Sequence, residues 1–165
     1  MSVALAESVA NQGQGFINSL SFGNGGTSVD PTGIITYLTP NSTGTNATLY
    51  NQTYTKIVDD RSVSNLDPQR NKIETRHVNG TNYTDVVVTC LLDYGEPNGQ
   101  DAVDGASASD SLYVFDELGL VSYSPSGTGK LLTHVIFHPV QKSLNRLIQI
   151  DYTVRVQSLT GFNEG

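Results

Sequence analysis

The chain has 165 residues, a formal net charge of -7 and only 15% charged residues, so one domain, or one domain with a flexible arm, accounts for it. A fold of that size removes roughly 70% of its unfolded surface from water and needs no disulfide or metal to hold together. The acidic balance sets most of the surface against a phosphate backbone, which excludes nucleic acid as an expected partner, and Cys90, the single cysteine, excludes an intrachain disulfide or thiolate cluster.

With so few charges, the polar surface must come from Ser, Thr, Asn and Gly, a composition that suits short strands and tight turns and is poor in helix formers. No apolar run is long enough to span a bilayer, so no membrane partner is expected. The start, Met1 to Glu7, lacks the basic residues of a secretory signal, and synthesis in a cytoplasm is expected. Asn41, Asn46, Asn51, Asn79 and Asn82 each begin an Asn-x-Ser/Thr sequon. Without a signal sequence these read as turn and strand-edge chemistry.

Residues 1–15 read as an N-terminal arm, separate from a single domain over 16–165. Ser2 to Gln12 has a short helical pattern stopped by Gly13 and Gly15. Val3, Leu5 and Val9 make no full amphipathic stripe, and so short a helix is marginal alone. The arm is expected either to fray or to order against a neighbouring subunit.

Phe16 to Phe22 alternates apolar and small polar residues, as a half-buried strand does. Gly23-Asn24-Gly25-Gly26 breaks it and reads as a turn needing positive φ. Ile34 to Leu38 is a short strand ending at Pro40, and Ala47 to Val58 is extended. Residues 59–70 are polar and irregular. Lys72 to Val78 is joined by the Asn79-Gly80 hairpin signal to Tyr83–Leu92, the most apolar stretch of the middle, with Val86, Val88, Cys90 and Leu92 on one face. Cys90 is therefore expected to be an inert core residue.

Residues 93–110 form a long Gly, Asp, Ala and Ser loop, a length that is usually functional or mobile. Leu112 to Phe115 resumes extended structure. Leu131–Val140 follows a Ser/Pro/Gly turn at 122–129, and Gln141–Arg146 then serves as a hairpin connection to Leu147–Gln157. In that last element Ile148, Ile150, Tyr152, Val154 and Val156 alternate with Gln149, Asp151, Thr153, Arg155 and Gln157, which marks an antiparallel strand with one wet face. The fold class is all-β: an antiparallel β-sandwich with long loops and a short N-terminal arm.

Tests for chemistry return nothing catalytic. Ser126-Gly-Thr-Gly-Lys130 lacks the leading Gly and trailing Ser/Thr of a phosphate loop, and Gly23–Gly26 lacks a dinucleotide fingerprint. His134 and His138 stand about 13 Å apart on a strand, too far to share a metal, and read as partly buried, hydrogen-bonded residues. The acids from Asp93 to Asp110 do not match a calcium loop. Asp116 and Glu117, adjacent on a strand, should point to opposite faces and could not flank one bond. No enzyme, cofactor or metal is expected. The eight tyrosines leave a sugar-stacking platform open beside the plainer reading as core or interface anchors.

Several segments carry a resemblance by their order: Ile17-Asn-Ser-Leu-Ser-Phe-Gly-Asn-Gly-Gly26, then Leu49-Tyr50-Asn51, Glu117-Leu118-Gly119-Leu120 and Leu131-Leu-Thr-His-Val-Ile-Phe137. Together they resemble the tail-collar and baseplate-attached proteins of tailed bacteriophages. The resemblance covers most of residues 16–157 through short, degenerate motifs. It implies a virion structural subunit (collar, connector or baseplate type) whose partners are other virion proteins and copies of itself. It lacks the family's long fibrous extension, which favours a compact subunit over a complete receptor-binding fibre. A capsid decoration protein and a carbohydrate-binding host-attachment module are the alternatives. The expected assembly contacts lie on the arm and the 93–110 loop, at Val3, Leu5, Val9, Tyr94 and Val103.

Overall fold

The computed structural model describes residues 15–41, 47–97, 112–127, 129–143 and 145–157. Nine strands run through them: β1 (Ile17–Gly23), β2 (Thr27–Val29), β3 (Ile35–Tyr37), β4 (Gln52–Ile57), β5 (Lys72–His77), β6 (Tyr83–Leu92), β7 (Leu112–Ser122), β8 (Val135–Ser143) and β9 (Ile148–Gln157). All pair antiparallel, in a four-stranded sheet β4-β1-β7-β8, a three-stranded sheet β5-β6-β9 and a separate ribbon β2-β3.

The two larger sheets close on one core. Leu20 and Phe22 of β1, and Phe115, Leu118 and Leu120 of β7, pack with Val88, Cys90 and Leu92 of β6 and Tyr152 of β9. Alternation makes this possible: Ile148, Ile150, Tyr152 and Val154 of β9 turn inward with Tyr152 buried, while Gln149, Asp151, Thr153 and Arg155 stay exposed, as does Val156 near the strand end. The fold is the expected all-β sandwich of antiparallel sheets.

Two local expectations are corrected. Gln141–Arg146 is not a hairpin connection, because β8 pairs with β7 and β9 pairs with β6. The chain crosses between the sheets there, burying one face of each strand against the other layer. The strand foreseen over 131–140 begins only at Val135; Leu131 makes an isolated bridge to Val121.

The third correction concerns β7, where pairing with β8 shifts register between Phe115 and Glu117. Tyr113 and Phe115 face the core at odd positions, Leu118 and Leu120 at even ones, so the facing of β7 switches at this irregularity, where Ile136 to Val140 of β8 bulges against the shorter span Phe115 to Glu117. The bulge re-aims Asp116 and Glu117 to one place. Both are buried and both reach the backbone after β1, instead of pointing to opposite faces.

Candidate interaction surface

The ribbon β2-β3 stands outside the sandwich with its side chains largely in water. Val29, Ile34 and Tyr37 are 62%, 63% and 50% exposed, and Leu38 and Tyr50 beside them are also exposed. Single exposed apolar residues are ordinary, but a cluster is not. A two-stranded ribbon is marginal by itself in water, so its order requires anchors at both ends.

The tip is held by Asp30. Its Oδ1 accepts from Thr32 Oγ1 (2.7 Å), Thr32 N–H (2.9 Å) and Ile34 N–H (2.9 Å). Gly33, at φ 89°, closes the loop by donating to the Asp30 carbonyl. The Thr32 hydroxyl, then the Ile34 amide, hold the Asp30 carboxyl below its usual range.

The base is held by the bulge. Asp116 accepts from Gly26 N–H and Thr27 N–H, both at 2.9 Å, and from Thr27 Oγ1 at 2.5 Å. Glu117, fully buried, accepts from Gly25, Tyr50 and Asn51 N–H, each at 2.9 Å. His134 completes the shell: Asn41 N–H donates to Nδ1 (2.7 Å), which leaves Nε2–H to donate to Glu117 Oε1 (2.8 Å), a tautomer assigned from the network. Tyr50 covers the imidazole at 5.6 Å between ring centroids.

The glycines here serve close approach instead of the expected positive φ. None of Gly23, Gly25 or Gly26 has positive φ. A Cβ on Gly25 would sit 2.8 Å from Tyr50 Cβ, and one on Gly26 3.1 Å from Asp116 Oδ1. Only a bare backbone lets these N–H groups reach two buried carboxylates.

A second feature is a cleft of about 820 Å³ between β4, the 64–71 segment and the 93–96 turn, lined by Tyr54, Lys56, Asp67, Arg70, Tyr94 and Glu96 among others. Glu96 is its hub, accepting from Lys56 Nζ (2.6 Å), Tyr54 OH (2.9 Å) and Asp93 N–H (3.0 Å). Desolvation pushes the Glu96 carboxyl up, but those hydrogen bonds outweigh it and hold it below the usual carboxylate range. Buried Lys142 donates to the Glu96 and Ser143 carbonyls, and desolvation lowers its ammonium below the usual lysine value. Arg70 pairs with Asp67 (2.6 Å) and Asp93 (3.6 Å).

Of the expected contacts, Tyr94 is 62% exposed on the rim of this cleft; Val3, Leu5, Val9 and Val103 lie outside the described residues. His138 is exposed on β8, within 3.4 Å of Tyr37 OH, so it is not the partly buried residue expected. Cys90 is buried, and desolvation pushes its thiol up to about 12. Among the described residues no three His, Cys, Asp or Glu side chains gather to hold a metal, and no helix is long and apolar enough to cross a membrane. No protein-family model matches the chain, and no curated protein or solved structure matches it either.

The ribbon surface was missed in the sequence, yet a signal for it exists. From Asn24 to Thr55 the only charged residue is Asp30, although Ile34, Ile35, Tyr37, Leu38 and Tyr50 fall in that stretch. A segment with one charge and several exposed apolar side chains is poorly suited to facing water alone.

Proposed function

We propose that the protein is a structural subunit that acts by assembling with other protein chains, with the β2-β3 ribbon as a contact element. The observation that carries this is the use made of Asp116 and Glu117. Two buried carboxylates are occupied by main-chain N–H groups at the ribbon base and by His134. They hold a protruding, apolar element in one conformation, which reduces the entropy lost when a partner covers it. The motif order resembling tail-collar and baseplate-attached proteins supports the particle of a tailed bacteriophage as the setting.

The test is to purify particles from a host carrying this gene and to locate and count the chain by mass spectrometry and electron cryomicroscopy. Copies in small multiples of three or six support a tail part, and hundreds support a decoration protein. Absence from the particle would defeat the phage reading.

The cleft favours a second reading, a glycan site, because an exposed Tyr94 stands beside Asp67, Arg70 and Asp93, the aromatic-plus-polar pairing that sugars use. Micromolar glycan binding that is lost in Tyr94→Ala would favour recognition over assembly.

A further inference from the structure

The free edge of the ribbon has a defined hydrogen-bonding pattern. Ile34 accepts from Asp30 N–H, and Leu38 N–H donates to the Gly26 carbonyl. With Thr27, Ser28 and Val29 registered on Tyr37, Thr36 and Ile35, bonded pairs alternate with non-bonded ones. Ser28 and Thr36 form the bonded pair between those two ends. The N–H and C=O groups of Ile35 and Tyr37 therefore point away from β2. β3 has no strand on that side among the described residues.

Building on the assembly reading above, we infer that the occupant of this edge is a second copy of the chain, joined by antiparallel pairing of β3 with β3 about a two-fold axis at Thr36. The register is self-complementary. Ile35 of each copy faces Tyr37 of the other as a bonded pair, giving four main-chain hydrogen bonds, and Thr36 faces Thr36 as the close, non-bonded pair. The two Ile–Tyr pairs are the β-branched-on-aromatic kind that stabilises antiparallel neighbours. Charge selects this partner as well. Each copy carries -7 overall, yet the segment from Asn24 to Thr55 contains Asp30 alone, so two copies meet here without a field of opposed carboxylates. Charge and proline, two of the devices that blunt exposed strand edges, are both absent from the short β3, Ile35-Thr36-Tyr37.

The experiment is sedimentation velocity on the full chain, as wild type, Thr36→Lys, Thr36→Glu and an equimolar mixture of the two variants, at low ionic strength. Thr36 is exposed and its side chain makes no contact the fold needs, so the variants should fold; Ile35→Pro, which removes an outward N–H while leaving the β2 ladder intact, is the second disruption. Wild type should sediment at twice 17.7 kDa. Each charged variant alone should weaken the dimer roughly tenfold or more, Ile35→Pro should do likewise, and the mixture should restore it.

A wild-type oligomer whose mass ignores every Thr36 variant would overturn edge pairing while leaving assembly through another surface standing. A wild type that stays monomeric to hundreds of micromolar also overturns it. If such a monomer is detached from purified particles by the same substitutions, the edge belongs to a different virion protein. The assembly reading fails on separate grounds, by absence of the chain from any particle.

Discussion

Replacing Glu117 by Gln changes almost no volume, so its effect isolates the acceptor pattern of a fully buried carboxylate. Oε2 accepts from Gly25 and Asn51, Oε1 from Tyr50 and His134. An amide offers one acceptor atom and one NH2 group. Whichever way the Gln side chain is turned, two N–H donors face another donor. Each stranded buried donor costs about 2 kcal/mol, and the two surviving bonds lose their charge assistance, about 1 kcal/mol each. The expected destabilisation is therefore about 6 kcal/mol before relaxation and on the order of 4 kcal/mol after the loops adjust. For a chain of this size that lowers Tm by roughly 8–16 °C. Urea and thermal melts followed by circular dichroism measure both quantities. A Tm within about 3 °C of wild type would show that water satisfies those donors and that the carboxylate does not organise the ribbon base.

Other expectations follow from the same contacts. Asn71 is 1% exposed, accepts from Leu91 N–H (2.9 Å) and donates to the Asp67 carbonyl; Asn71→Ala should cost about 2–3 kcal/mol in urea unfolding by stranding that amide. Because the folded Glu96 carboxyl lies below its ordinary value of 4.5, it stabilises the fold fully at higher pH and loses that contribution as pH falls from 4.5 through the folded value. Glu96→Gln should accordingly flatten that part of the acid limb in stability-against-pH curves, and an unchanged limb would contradict the assignment. Cys90, buried with its thiol pushed up to about 12, should resist a thiol reagent at pH 8 until the chain is unfolded in urea; labelling of the native protein within minutes would refute its burial.

The parts of the fold that were readable in the sequence are those where one strand decides its own pattern. β9 alternates from Ile148 to Arg155 because one face is core and the other is water. β6 likewise shows Val88, Cys90 and Leu92 in step. Pairing partners were not readable in this way. Nothing local distinguishes a tight hairpin from the crossing that follows β8, since both need only a polar turn. The irregularity was visible in principle: Tyr113 and Phe115 are out of phase with Leu118 and Leu120, and a parity change inside a strand signals a break in its regular pairing. Treating Asp116 and Glu117 as residues of an unbroken strand hid their shared role. The cleft hub at Glu96 depends on Lys56 and Tyr54, about forty residues away in sequence, a proximity no spacing rule supplies.

The carboxylates that set the ribbon base lie 90 and 92 residues downstream of the glycine amides they receive, and His134 comes later still. During translation the ribbon thus emerges from the ribosome long before its clamp exists. Its free edge acquires its anchored shape only after most of the polypeptide has been made, so under the proposed assembly role only finished subunits would present that edge for pairing.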